Sequence, residues 1–247
     1  MDRLIYTAMT GAKQTMARQD TLAHNLANAT TTGFRANTTA FRAVPLQGPG
    51  AGTRVFAIES TPGTDFSTGP IQQTGRELDV AVNGDGFIAV QARDGSEAYT
   101  RAGNLQMDQD GKLVTNDGLP VLGDGGPIEI PADTRVHIAY DGTLSALDQT
   151  GKLNNVNVIG RLKLVNPPVN ELTRGGDGLF RAKTGEAFPL DDTVTVTSGV
   201  IEGSNVNVVE AMVGIIAAAR QFEMQMKMLS TAEADSRAAS QLLNING

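Results

Sequence analysis

The sequence predicts an α+β fold: long N- and C-terminal helices pairing as a coiled-coil-like layer, a central, mainly antiparallel β domain, and an extended linker. Three observations predict it. Residues 2–28 and 207–244 contain no proline and carry apolar residues at alternating spacings of four and three. Within residues 77–200 several runs alternate between polar and apolar residues instead. Between such runs Asp-Gly occurs seven times, at 85, 94, 110, 117, 124, 141 and 177, and this dipeptide supplies the positive φ of tight turns.

In the first helix Ile5, Met9, Ala12, Met16, Gln19, Ala23 and Leu26 form an a/d seam with one polar member. Asp2 can cap its start. Thr30 to Thr32 are poor helix formers and Gly33 accepts positive φ, so the helix ends near Asn28 or Ala29. At 100° per residue, Asn25 and Asn28 point almost opposite Ala23 and Leu26, which gives the helix a second face of amides. In a packed array those amides could bond to neighbouring chains.

The last helix opens with Asn207 and Glu210, spaced as in a capping box. Val208, Met212, Ile215, Ala219, Phe222, Met226 and Leu229 then repeat the 4-3 spacing. The two seams predict pairing of the chain ends. Small residues (Ala8, Gly11, Ala12 and Ala217 to Ala219) thin the contact and leave surface for further partners.

The resulting division is residues 1–33 and 201–247 as a helical domain, 34–76 as an extended arm rich in Gly, Pro, Thr and Ser, and 77–200 as the β domain. Leu78 to Val82, Arg135 to Tyr140 and Thr193 to Thr197 alternate as strands do.

Composition restricts the chemistry. The 247 residues are 40% hydrophobic but only 4% aromatic, without Trp, which suits modest globular parts plus faces buried elsewhere. A net charge of −7 without basic clusters argues against nucleic acid. Cysteine is absent, and the two histidines, His24 and His137, lack ligand spacing, so no metal site is expected. His137 reads as a solvent-facing strand residue, opposite Val136, Ile138 and Tyr140. Gly84-Asp85-Gly86 fits a loose dinucleotide fingerprint, but Phe87 to Gln91 reads as a strand where a helix is needed, so a hairpin with a packed aromatic is expected and no cofactor. Asp108 and Asp110 lack the closing glutamate of a calcium loop. No catalytic constellation emerges, and no small-molecule substrate is implied. Residues 1–30 lack a basic stretch followed by an apolar one, so no cleaved leader is expected.

Four stretches carry a family resemblance. Leu22-Ala23-His24-Asn25-Leu26-Ala27-Asn28 through Thr32-Gly33-Phe34-Arg35 resembles the N-terminal signature of bacterial flagellar rod and hook proteins, with His24 where Asn is usual. The opening, Met1 to Met9, is similar to proximal rod subunits rather than distal rod or hook subunits. Thr74 to Phe87, continued by Tyr99 to Leu105, looks like the central motif. Ser204 to Asn207 and Arg220 to Glu223 look like the C-terminal one.

The resemblance implies a structural, non-enzymatic subunit of the basal-body rod, with a distal rod or hook-type subunit as the alternative. It implies partners in a helical array, among them other proximal rod proteins and the distal rod protein. It also implies passage through the flagellar export apparatus without leader cleavage and residence in the periplasmic part of the basal body, which suits the absence of Cys. Asn25, Asn28, Gly33 and Phe34 become motif contacts, Gly33 turning the chain out of the helix and Phe34 anchoring its exit. A secreted β-rich adhesin and a nucleotide-dependent enzyme are the other classes kept open.

Overall fold

The computed structural model describes residues 2–45, 55–59, 63–131, 134–148 and 157–244. Two helices, α1 (Asp2–Ala27) and α2 (Val208–Asn244), lie at the ends of this chain. Among the described residues, every strand pairing between them is antiparallel. The fold is α+β. It divides into two compact units: Met1–Ala29, Ala36–Asp65 and Val206–Gly247 form the first, Thr30–Arg35 and Phe66–Asn205 the second.

In the helical unit α1 and α2 run antiparallel, with Gly11 beside Gln225 and Gly214 beside Leu22. The Asn207 side chain caps α2, its Oδ1 accepting from the Val209 and Glu210 N–H groups at 3.1 and 3.2 Å. Residues that read as an extended arm instead double back. Asn37–Thr38 pairs with Gly63–Thr64, and Phe41–Pro45 with Val55–Glu59. Backbone N–H and C=O groups favour a partner strand over an open arm, which leaves them to water. Residues 46–54 and 60–62 of the expected arm lie outside the described residues. Its last part, from Phe66 onward, belongs to the β unit, where Ile71–Gln73 pairs with Val200–Glu202.

The β unit is built around Phe87–Gln91, which pairs with Glu97–Thr100 on one side and Leu164–Val165 on the other. Both faces of this strand are covered. Ile88 and Val90 enter a large aliphatic cluster with Leu105, Leu113, Leu144 and Leu162. Phe87 and Ala89 enter a second cluster with Tyr99, Leu172 and Phe180. A strand packed on both sides reads as a continuous apolar run, hence Phe-Ile-Ala-Val. Val80–Asn83 likewise buries Val80, Ala81 and Val82 together rather than alternating.

Five of the Asp-Gly pairs lie in hairpin loops, and at six of the seven the glycine takes positive φ. At Asp124-Gly125 the next residue, Gly126, takes it instead (φ 116°). The Asp85 turn differs from the hairpin that was expected. It joins Val80–Asn83 to Phe87–Gln91, but the first pairs with Thr195–Ser198, so the turn is a corner between two sheets. Phe87 is buried there. His137 is exposed between buried Val136 and Ile138, as its strand position predicts, whereas Tyr140 is 67% exposed because it has left the strand and entered the Asp141 turn.

Tyr99 gives this core a pH signature. Its hydroxyl donates to Glu97 Oε1 and accepts from the Phe188 N–H, both at 2.9 Å. Burial, reinforced by the Glu97 charge and opposed by the Phe188 N–H, pushes the phenol from 10.0 up to about 12. The phenol is neutral in the folded state over a range where an unfolded chain would ionise it. Its contribution is therefore complete below pH 10 and is lost as pH rises toward 12. Alkaline unfolding scans should show stability falling across that window, and Tyr99→Phe should flatten the fall. A scan of the variant as steep as the parent's would contradict this.

Backbone packing is equally tight at Gly103, where an added Cβ would overlap the Val80 carbonyl oxygen. Gly103→Ala should lower stability by about 1–3 kcal/mol, the range for overpacked cores, with a lower thermal midpoint of the β unit.

Candidate assembly interface

The helix pair buries a line of small residues. Ala8, Ala12 and Thr15 of α1 are buried, as are Ala211 and Ala218 of α2. Leu22 seats over Gly214, and Gln225 over Gly11, with the Thr15 hydroxyl 3.4 Å from Gln225 Oε1. Two backbones approach closely only where side chains are small, and close approach gains dispersion contacts along the whole line.

The residues of the sequence-derived seam divide into two groups. Ala12 is buried, and Leu26, Ile215, Ala219, Phe222 and Leu229 are half-buried. Met9, Met16, Ala23, Val208, Met212 and Met226 are exposed in the single chain. The side chain of Ile5 lies outside the described residues. Apart from Val208 and Ala219, one heptad position of each helix thus faces the partner helix. The other inward position falls one residue away, at Ala8, Thr15 and Leu22 in α1 and at Ala211, Ala218 and Gln225 in α2. The 4-3 spacing gives large apolar residues more weight than small ones, yet small residues occupy the centre here and the methionines lie at the flank. The signal that could have found this line is Ala8-x-x-Gly11-Ala12-x-x-Thr15, small residues at helical spacing.

The motif amides act within the chain. Asn25 is buried, and its side chain pairs with the Asn37 backbone in both directions at 2.8 Å, Nδ2 donating to the carbonyl and Oδ1 accepting from the N–H. Only 100° of rotation separates it from Leu26, so it lies on the inner side. The expected contacts from Asn25 to neighbouring chains give way to this internal pair, because a buried amide needs partners. Asn28 Nδ2 donates to the His24 carbonyl at 2.9 Å as α1 ends, and the His24 ring lies 3.3 Å from Asn37 Nδ2.

Gly33 and Phe34 belong to the β unit. Gly33 has φ 68°, its N–H donates to the Glu202 carbonyl at 2.8 Å, and a Cβ there would overlap the Arg101 backbone. Phe34 is buried under the Arg174 guanidinium, 4.5 Å above its ring, and that guanidinium donates to the Arg35 carbonyl at 2.6 Å. Burial lowers the pKa of Arg174.

A broad exposed apolar surface lies on α2. From Val208 to Ala219 the only charged residue is Glu210. Val209, Met212, Val213 and Ile216 are 70%, 50%, 61% and 54% exposed, although Ala211 and Ala218 face inward. Apolar residues therefore surround these turns, a pattern of helices buried on all sides. Further along, Met224, Met226 and Met228 are exposed, as are Tyr6, Met9 and Met16 of α1.

Reactive chemistry is sparse by comparison. Among the described residues no group of His, Asp and Glu could hold a metal ion. A shallow depression in the β unit is lined by Glu97, Leu122, Asp124 and Lys163, but Glu97 and Lys163 are paired with each other at 2.8 Å. No helix among the described residues is long and apolar enough to cross a membrane.

Comparison with known proteins accounts for this distribution. Residues 5–35 match the family model for flagella basal body rod proteins. Residues 81–146 match the D1 domain of flagellar hook protein FlgE/F/G, and residues 197–242 the C-terminal region of flagellar basal body rod FlgEFG proteins. The chain is 49% identical to the flagellar basal-body rod protein FlgF of Escherichia coli K12, with both chains covered completely. The chain belongs to the flagellar basal-body rod protein family. It is 48% identical to FlgF of Salmonella typhimurium, again over all of both chains. It is also 33% identical to the rod protein FlgG of Bacillus subtilis, over 94% of this chain and 96% of that one. As a FlgF-like rod protein it is a structural subunit of the basal body and not an enzyme. The motif residues Asn25, Asn28, Gly33 and Phe34 fall inside the rod-family match, and α2 inside the C-terminal match nearly to its end.

Removing the Asn25 amide tests its place in this rod protein. Asn25→Ala should remove the two side-chain hydrogen bonds to the Asn37 backbone, lowering stability by about 1–3 kcal/mol. Hydrogen exchange at the Asn37 amide should speed up accordingly. Unchanged exchange would show that the pair carries no weight.

Proposed function

We propose that the chain is a proximal rod subunit that assembles axially in a helical array and transmits motor torque. The observation that carries this reading is the belt of exposed Val209, Met212, Val213 and Ile216 around helical turns that already bury Ala211 and Ala218. Such turns need neighbours on more than one side. The neighbours we infer are other rod subunits, including other proximal rod proteins and the distal rod protein.

Ala12, Leu26, Ile215, Ala219, Phe222 and Leu229 then hold the chain ends together as a coiled-coil-like layer. Met9, Met16, Ala23, Val208, Met212 and Met226 meet the next subunits, with Ile5 on the same seam. Methionine suits contacts with non-identical neighbours, because its unbranched side chain adapts to irregular gaps. Subunits meeting head to tail make heterologous contacts that extend a filament instead of closing a ring. The proximal position is supported by full-length identity to FlgF proteins; a distal rod or hook-type role is the alternative. Export through the flagellar apparatus without leader cleavage, and a periplasmic site in the basal body, complete the proposal.

Substituting exposed belt residues separates assembly from folding. Val213→Asp and Ile216→Asp should change monomer stability by less than about 1 kcal/mol, since both side chains face solvent in the single chain. The same variants should abolish rod assembly and swimming in a strain lacking the native subunit. Normal motility and complete basal bodies would sink the proposal.

A further inference from the structure

At the root of the β unit, three segments distant in sequence meet at one carboxylate. Glu202 is 1% exposed. Its Oε1 lies 2.7 Å from Arg35 Nη1 and accepts from the Gly69 N–H at 2.9 Å. Its Oε2 lies 3.1 Å from Arg101 Nη1. Backbone bonds tie the same place together: Gly33 N–H to the Glu202 carbonyl, Gly203 N–H to the Pro70 carbonyl, and Asn205 N–H to the Phe34 carbonyl.

The two arginines are not equivalent. Arg101 also donates to the carbonyls of Val82 and Gly84 at 3.2 and 2.5 Å, and its guanidinium sits 5.4 Å over the Phe87 ring. Arg35 is 1% exposed, yet among the described residues none of its three guanidinium nitrogens has an aligned hydrogen-bond acceptor. Its contact with Glu202 is close but not directional. Two buried cations thus share one anion. Burial lowers the pKa of Arg101, and the Arg35 charge acts in the same direction; Glu202 and Asp85 act against it.

We propose that Arg35 makes closure of this root conditional on Glu202, so that Arg35, Glu202 and Arg101 form a latch which only the C-terminal strand of the β unit can close. Without the carboxylate, docking residues 30–35 would bury Arg35 facing Arg101 with no carboxylate between them. With it, the segments 30–35, 66–70 and 202–205 lock in one step. A chain whose 200–205 stretch has not arrived therefore keeps its root open. Arg35 contributes conditionality and not stability. An apolar residue of similar length would close the root at least as well, because replacing a poorly satisfied buried charge removes its desolvation cost.

The test is a cycle in the full-length protein, read by hydrogen exchange at the Gly33, Gly69 and Gly203 amides against the strand amide of Ala89. Glu202→Gln should speed exchange at the root on the order of 100-fold or more, as expected for a buried charge losing its partner. Arg35→Met should change it by less than about threefold. The double variant Arg35→Met/Glu202→Gln should regain most of what Glu202→Gln loses. If Glu202→Gln alone fails to fold, recovery of folded protein in the double variant is the expected result. Arg35→Met proving as damaging as Glu202→Gln would overturn the latch. So would a double variant no better than Glu202→Gln alone.

Discussion

The antiparallel pairing of residues 71–83 with 195–202 is the constraint on which the β unit depends. Ile71–Gln73 pairs with Val200–Glu202, and Val80–Asn83 with Thr195–Ser198. Thr74 and Gly75 donate to the Gly199 carbonyl between the two ladders. The described strands between Gly84 and Val194 are thereby held as one insertion between two paired strands. At the end of the ladder the chain has neither side chains to spare nor room. Gly69 and Gly203 approach so closely that a Cβ on Gly69 would overlap the Gly203 carbonyl. Glu202 satisfies the Gly69 N–H there, so the charge cluster and the strand pairing support one another.

The helical unit follows a different logic. Its internal contact is made by small residues and two glycines, which brings the backbones close but leaves most large apolar side chains outside. A two-helix layer cannot cover Val209, Val213 and Ile216 by itself. Marginal self-sufficiency is the physical counterpart of a subunit built for a filament. A pair that buried all of its apolar surface would have little left with which to bind the next copy.

Polar groups are consumed internally. The carboxylates of Asp94, Asp141 and Asp191 sit below the usual range because the hydroxyl and N–H of the residue two positions on hydrogen-bond to them. Arg181 does the same for Asp177 through a two-pronged contact. These aspartates shape turns, and the depression beside Lys163 is closed electrostatically by Glu97. Carboxylates held low by turn hydrogen bonds fit a protein whose function is carried by its surfaces.

Local chemistry made much of this legible in the sequence. The helices, the Asn207 cap and most Asp-Gly turns depend on neighbours within a few residues, and so the sequence determined them. The motif around Asn25, Gly33 and Phe34 was visible too, though not what each residue touches. Tertiary structure alone decided which side of α1 faces α2, because that choice depends on how closely two backbones can approach, a property of the pair. It alone folded the arm back on itself, since the strands that pair there, both within the arm, lie well apart in sequence. It alone brought Arg35, Arg101 and Glu202 together: burial in a shared low-dielectric site leaves no trace in spacing or composition, and only a closed chain creates it.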